Sequence, residues 1–366
     1  MEKESIKNLI ESELNKSSNE LFKKLESCRI DVLEVIPPPE IAWEIKDDIS
    51  EEFNILGTHG NFSLVKGKAK SKKSFFINMA VSAAVGEGIL QNKLRGPLKE
   101  NLNKVLYFDT EQSKYHVQMA VKRICRQIDV DIPNNLSTYG LRKSSPSERL
   151  KLVEHAIENT PNLGFVVIDG IRDLITSIND EAESTNMASK LLQWSEKYNI
   201  HIVVILHENP GSDKARGHIG TELTNKAETV ITVQIDNYDD DVSIVSAGFC
   251  RNKSFKPFAF RITDDGLPKI IKDYEIEMKA KKKGFDVLNL SSKEKFQVLE
   301  KVFENGERFQ HTELVNQIRI VLDKNFNGNK GKGENKIKQL ITESKNEGWL
   351  IQNGNRQPYE LGVLSV

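Results

Sequence analysis

Residues 62–86 read FSLVKGKAKSKKSFFINMAVSAAVG. The run opens with four residues of strand character, Phe62 to Val65. Gly67 to Ser74, GKAKSKKS, follows, and then Phe76, Ile77, Met79, Ala80, Ala83 and Ala84 recur at helical spacing. Strand, loop of small residues and lysines, then helix is the layout of a phosphate-binding loop. Backbone N–H groups and the positive end of the helix both face a polyphosphate in such a loop. Gly67, Lys68, Ala69, Lys70, Ser71, Lys72, Lys73 and Ser74 form the expected cradle. Lys73 is expected to reach the β- and γ-phosphates, and the Ser74 hydroxyl to hold Mg²⁺.

Lys72 stands where the pattern G-x-x-x-x-G-K-[ST] has its second glycine. A side chain there has to point outward if backbone and phosphate are to approach closely. The competing interpretation is a basic loop before a buried helix, and the rest of the chain has to separate the two.

The composition is that of a soluble globular chain: 366 residues, 38% hydrophobic and 29% charged. No apolar run approaches the ~20 residues that span a bilayer. The start, MEKESIKNLIESELNK, lacks the apolar centre of a secretory signal. Cys28, Cys125 and Cys250 have neither metal-binding nor disulfide-framework spacing, so a cytoplasmic protein with no membrane partner is expected. The net charge of −1 argues against a uniformly basic nucleic-acid binder. From Lys279 onward, however, 16 Lys and Arg stand against 11 Asp and Glu, a surplus of five, so the remainder is acidic by six.

In chain order, 1–45 reads as a helical arm and Pro-rich linker. Its apolar positions include Leu9, Leu14, Leu21, Phe22 and Leu25, ahead of Pro37-Pro38-Pro39. These helices can pack on their own body or on a neighbouring subunit. Residues 46–275 alternate strands and helices. Strands are expected at 62–66, 104–110, 164–169 and 201–206, with helices at 114–128, 147–159 and 182–198. Three further strands without helices, 228–235, 242–248 and 257–262, read as antiparallel. The fold class is therefore α/β, a mostly parallel sheet flanked by helices with one antiparallel edge. A charged linker, 276–290, leads to 291–366, which reads as three helices and a hairpin, the make-up of a small winged helix-turn-helix domain.

Parallel sheets bind ligands at the carboxyl ends of their strands. Four strands deliver polar groups there: the phosphate loop, Asp109-Thr110-Glu111, Asp169, and His207-Glu208-Asn209. Hydrolysis of a nucleoside triphosphate needs a metal partner, a carboxylate to orient water and a contact for the γ-phosphate. Asp169 fits the metal role beside Ser74, Glu111 the water, and His207 the phosphate contact.

The order of these pieces resembles the RecA-like ATPases, and among them the hexameric replicative helicases of the DnaB and plasmid RepA type. Asp109-Thr110-Glu111 is similar to their catalytic-glutamate segment, GFVVIDGIRDL to their metal-binding strand with Asp169, and ILHENPGSDKARGHIGTEL to their histidine-bearing strand followed by an Arg-Gly turn, here Arg216-Gly217. Arg251-Asn252-Lys253 resembles the cation pair that these ATPases insert into a neighbour's site, here in swapped order. The resemblance covers roughly 55–265. It implies ATP and Mg²⁺ as cofactors, Lys73, Glu111, His207, Arg251 and Lys253 as catalytic residues, and a homo-oligomer, a hexamer by analogy, with single-stranded DNA in a central channel.

Each residue also has a plainer explanation. Glu111 can be a carboxylate favoured by a helix N-terminus. Asp169 can cap a turn, and His207 can be a hydrogen-bonded core histidine. Arg216, Arg251 and Lys253 can be solvated charges, and Arg172 and Asp173 can simply pair with each other. In the winged-helix reading, Lys330, Lys332, Asn335, Lys336 and Lys338 meet duplex DNA from the third helix and Arg356 from the wing; the alternative is a protein-binding module. Two functions follow: an ATP-driven DNA motor of a plasmid or mobile element, or a regulatory nucleotide-binding, DNA-binding protein with little turnover.

Overall fold

The computed structural model describes residues 19–209, 215–272, 274, 287–304, 306–325, 333–354 and 356–363. The chain divides into two compact units, 1–276 and 277–366.

In the first unit the elements run β1 (Ile41–Lys46), β2 (Phe53–Thr58), β3 (Phe62–Gly67), α1 (Lys73–Val85), β4 (Leu94–Arg95), β5 (Lys104–Asp109), α2 (Lys114–Ile128), β6 (Leu136–Gly140), α3 (Pro146–Asn159), β7 (Leu163–Asp169), α4 (Glu181–Lys197), β8 (His201–His207), α5 (Gly217–Lys226), β9 (Thr229–Ile235), β10 (Val242–Cys250), β11 (Phe258–Ile262) and β12 (Pro268–Ile271). Nine strands form one sheet in the order β12-β11-β10-β9-β3-β8-β7-β5-β6. The six from β9 to β6 are parallel, and β10, β11 and β12 continue the sheet antiparallel. The antiparallel edge therefore begins one strand later than the pattern implies. Residues 229–235 alternate like an edge strand, yet β9 pairs parallel with β3 and antiparallel with β10.

The sheet is covered on both faces. One apolar core contains α1 and α2, the other α3, α4 and α5. Helix α1 is buried almost all round, its polar Asn78 and Ser82 included. A second, three-stranded sheet, β2-β1-β4, contributes Trp43, Ile45, Leu56 and Leu94 to the α1 core. This corrects the boundary at residue 45. Ile41–Lys46 is a strand of the body, and Trp43 is 1% exposed. The Trp43 Nε1 donates to His201 Nε2 at 3.2 Å, which locks the small sheet to β8. Strand β6 also escaped the sequence pattern, because it is short and only half buried.

The second unit holds α6 (Ser292–Val302), α7 (His311–Asn325), α8 (Glu334–Asn346) and the antiparallel pair β13 (Leu350–Gln352) and β14 (Tyr359–Leu361). Ser291 caps α6 in a reciprocal arrangement with Glu294. Its own core gathers Phe296, Leu299, Leu314, Ile318, Ile337, Leu340, Trp349 and Tyr359. Among the described residues, no helix of the chain is long and apolar enough to cross a membrane.

Candidate functional site

Strands β3, β8, β7 and β5 are neighbours, so their carboxyl ends open onto one mouth. A cleft of about 390 Å³ lies there, lined by Lys70 to Phe75, Asp109, Glu111, Asp169, Arg172 and His207, with His116, Met119 and Arg123 of α2 on one side. The side chains singled out on four separate strands thus meet in one cavity. Arg251 and Lys253 do not line it.

The loop closes on itself. Gly67 is needed for packing: a Cβ there would overlap the Val233 carbonyl of β9. Lys70 and Lys72 take left-handed backbone, with φ of 65° and 63°. That conformation costs a side-chain-bearing residue more than glycine, which is the local reason for glycine in the pattern. Lys72 bears it with its side chain turned to the Asp240 carbonyl, to which Nζ donates at 3.0 Å. Lys73 lies buried at the start of α1. Its Nζ donates to the carbonyls of Gly67 (3.0 Å) and Lys68 (2.8 Å) and to His207 Nδ1 (3.1 Å). Burial lowers its ammonium to about 8, against the opposing pull of Asp169, Glu111 and Glu208.

Ser74 Oγ donates to Asp169 Oδ2 at 2.9 Å, and the Tyr107 hydroxyl approaches the same oxygen at 3.4 Å. Burial pushes the Asp169 carboxyl up to about 6, helped by the neighbouring Asp109 carboxylate. Burial likewise pushes the Tyr107 phenol well up. Asp109 holds the backbone in place. Its Oδ1 accepts from the N–H groups of Glu111 (3.0 Å) and Gln112 (2.7 Å), fixing the turn that presents Glu111. The Glu111 carboxylate stands 3.8 Å from His207 Nε2, and the imidazole holds it below its ordinary value.

This set fits Mg²⁺ and a nucleoside triphosphate. A hydroxyl and a carboxylate already touch at the foot of the phosphate loop, where a magnesium ion would be held. Three carboxylates, Asp109, Glu111 and Asp169, share the mouth, and the first two raise the third, with Lys73 and Arg172 among the opposing charges. A divalent cation relieves that repulsion.

The sequence pattern passed over several neighbours. Tyr107 looked like one more apolar strand residue. Arg123 sits across the Phe75 ring at 3.9 Å and donates to Asn78 and the Gly266 carbonyl, reaching the cleft from the third turn of a helix whose other face is solvated. Lys66 and Glu208 form a buried ion pair at 2.7 Å beside the loop. Arg172 and Asp173 do pair (3.4 Å), and Asp173 also accepts from Thr110 Oγ1 at 2.9 Å.

Arg251 and Lys253 lie at the other end of the sheet. Cys250 pairs with Thr229 and Thr229 with Ser63, so Arg251 follows the amino end of β3 while Gly67 is its carboxyl end. The Arg251 guanidinium donates weakly to Asn61 Oδ1 (3.4 Å) and the Lys226 carbonyl (3.5 Å), and Lys253 faces Glu52 at 3.7 Å. Asn61 to Gly67 spans about 20 Å of strand. Arg216 precedes α5, beside a shallow surface pocket with Asn209 and His218. In the second unit, Asn335 and Lys338 are exposed on the first turns of α8, and Lys336 is half-buried. Lys338 pairs with Glu334 at 2.7 Å. Arg356 is exposed, with φ of 64°, between β13 and β14. Lys330 and Lys332 lie outside the described residues.

Comparison with known proteins agrees with the phosphate loop and the parallel sheet. A family model described as an AAA domain matches residues 22–213. No curated protein matches the chain. The match covers just over half of the sequence and includes the loop, Glu111, Asp169 and His207, and on that ground the chain belongs to the AAA domain family, P-loop ATPases with a RecA-like core.

Proposed function

We propose that this P-loop ATPase is a DNA-acting motor whose nucleotide sites are completed between copies of the chain. One observation carries this reading. Lys73, Ser74, Glu111, Asp169 and His207 converge on one mouth, while Arg251 and Lys253 stand at the opposite sheet end with only weak contacts of their own. A cation there is out of reach of its own loop and is free to meet a neighbour's. In this scheme Lys73 and the loop N–H groups bind the triphosphate, Ser74 and Asp169 hold Mg²⁺, and Glu111 orients the attacking water. Arg251 and Lys253 of the adjoining copy stabilise charge on the phosphates, and His207 links the Lys73 and Glu111 positions.

The second unit supports the DNA part. Among the described residues it has three helices followed by a two-stranded hairpin, the make-up of a winged helix, and Asn335, Lys338 and Arg356 are exposed on the third helix and the hairpin. Steady-state ATPase with and without single-stranded DNA tests the motor. Stimulation by DNA, lost in Arg251→Ala, is expected; no stimulation at any salt or protein concentration points instead to a nucleotide switch with little turnover. Duplex binding by the full chain should weaken steeply with salt and weaken further in Lys338→Glu and Arg356→Glu. Binding indifferent to salt would assign the second unit to a protein partner.

A further inference from the structure

Lys72 carries a left-handed backbone, φ 63° and ψ 25°, at the residue from which α1 starts. Its carbonyl accepts from the N–H groups of Phe75 (3.0 Å) and Phe76 (3.3 Å), so the first turn of α1, with Lys73 and Ser74 in it, hangs on that conformation. A glycine takes it without strain and a lysine does not. The Lys72 side chain is held by the turn between β9 and β10, residues 236–241, which reads DNYDDD. Its ammonium donates to the Asp240 carbonyl at 3.0 Å, on a turn with four aspartates and no cation.

The turn is itself built on one carboxylate. Asp236 is buried, and its Oδ1 accepts from the N–H groups of Tyr238 (3.0 Å) and Asp239 (3.2 Å) and from the Tyr274 hydroxyl (3.1 Å). The Asp236 N–H donates to the Val242 carbonyl and the Val242 N–H to the Asp239 carbonyl, both at 3.0 Å, which closes the base of the turn. On the exit side Ser243 Oγ donates to the Ser71 carbonyl at 3.4 Å, a second contact with the phosphate loop. Tyr274 follows β12, just before the first unit ends at 276. A line of bonds therefore runs from the last residues of the first unit through Asp236 and Asp240 to Lys72.

We propose that Asp236 and Tyr274 are positioning residues for nucleotide binding, and that the β9–β10 turn does for Lys72 what a glycine does without help. The turn keeps the Lys72 backbone left-handed and its side chain clear of the phosphates. Neither Asp236 nor Tyr274 is among the described residues that line the nucleotide cleft, so both act through Lys72. The carboxylates of the turn add to the hold, since an ammonium beside the cradle is otherwise drawn toward a triphosphate. Without the turn, the first turn of α1 loses its fixed start, and Lys73 and Ser74 are presented less often in the binding geometry. The inference needs only the phosphate loop of the ATPase, and neither DNA nor a second copy of the chain.

Calorimetric titration of the full-length chain with a non-hydrolysable ATP analogue and Mg²⁺ tests this. Asp236→Ala should weaken binding by about tenfold, the scale of the backbone cost of a left-handed residue. Tyr274→Phe removes one of the three bonds to Asp236 and should weaken it less, and Asp236→Asn, which keeps an acceptor oxygen, should recover most of the loss. Lys72→Ala and Lys72→Gly remove the same charge, yet the glycine variant should bind about tenfold more tightly than the alanine one. On the Lys72→Gly background, Asp236→Ala should change affinity by less than about twofold, because a glycine needs no turn to hold it. In turnover, Asp236→Ala should raise KM for ATP by the same factor as the loss of affinity and leave kcat nearly level. A urea midpoint separates folding from positioning: stability lost in Asp236→Ala persists with Lys72→Gly, whereas the loss of affinity does not. A penalty of equal size in both backgrounds, or parental affinity in Asp236→Ala itself, overturns the inference. Loss of analogue binding in Lys73→Ala beside a silent Asp236→Ala overturns this link alone and leaves the phosphate loop standing.

Discussion

Lys73 donates from Nζ to Nδ1 of His207 across 3.1 Å, so the lysine of the phosphate loop and the imidazole at the end of β8 share one bond. An ammonium has only protons to give, so Nδ1 is the acceptor and the ring proton sits on Nε2, toward Glu111. Nucleotide binding has to exchange this bond, and the two carbonyl bonds of Lys73, for phosphate oxygens.

The pH dependence of binding follows from that lysine. Its ammonium titrates near 8 because it is buried. The charged form binds phosphate, and bound phosphate raises the pKa again. Affinity for a triphosphate should therefore be level below about pH 8 and fall above it, by up to roughly tenfold per unit. Calorimetry at pH 8.5 in two buffers of different ionisation enthalpy should show proton uptake on binding. Equal heats in the two buffers, or a Lys73→Ala variant that binds normally, would remove Lys73 from the site.

Asp169 makes the opposite prediction on the acid side. Its carboxyl sits near 6, and only the carboxylate binds a cation well. Magnesium affinity should decline as pH falls through 6. Asp169→Asn should abolish this pH dependence together with the tight magnesium response. Glu111→Gln, by contrast, should keep nucleotide and magnesium binding and lose turnover by a factor on the order of 10² or more. A matching loss of binding in Glu111→Gln would mark that residue as structural.

The sequence made the phosphate loop, the carboxylates and the helices legible because each follows a local rule. Lys114–Ile128 has a solvated face and an apolar stripe, and 163–169 is a continuous apolar strand that ends in Asp169. What escaped depends on contacts far along the chain. Trp43 makes a strand of 41–46 by reaching His201, 158 positions away. Arg123 reaches the cleft only because α2 lies against α1 and Phe75. The parallel pairing of β9 is decided by β3, which its own alternating pattern cannot reveal. Gly67 is required by the Val233 carbonyl as well as by any phosphate.

The contact between the small sheet and β8 sets a stability prediction. His201 is fully buried between Trp43, Ser63 and the Thr58 carbonyl, and burial lowers its imidazole to about 3. Gly57 lies against that ring, where an added Cβ would overlap both His201 and Trp43. Gly57→Ala should cost about 1–3 kcal/mol, seen as a lower urea midpoint. The neutral histidine adds a pH term. The unfolded imidazole takes a proton below about 6.5 and the folded one does not, so stability should fall as pH drops from 6.5 toward 3. A midpoint flat across that range would contradict the buried neutral ring, and an unchanged midpoint in Gly57→Ala would contradict the close packing.

The placement of Arg251 leads to a mixing experiment. Arg251 and the Lys73 loop belong to one chain but to opposite ends of the sheet, so a role for Arg251 in hydrolysis has to be played on a neighbour. Arg251→Ala should bind nucleotide as the parent does and turn over slower by a factor on the order of 10³, the scale of a cation supplied from outside. Glu111→Gln should also be inactive, with its Arg251 intact. Where the two inactive variants meet in one assembly, half of the mixed interfaces pair an intact Glu111 with an intact Arg251. Activity should then reappear in the mixture and in neither component. The bonds that Arg251 now makes, 3.4 Å to Asn61 and 3.5 Å to the Lys226 carbonyl, are long enough to be given up without a large cost. If the mixture stays inactive while co-assembly is demonstrated, Arg251 acts within its own chain or only as a surface charge, and the site has to be completed by some other residue.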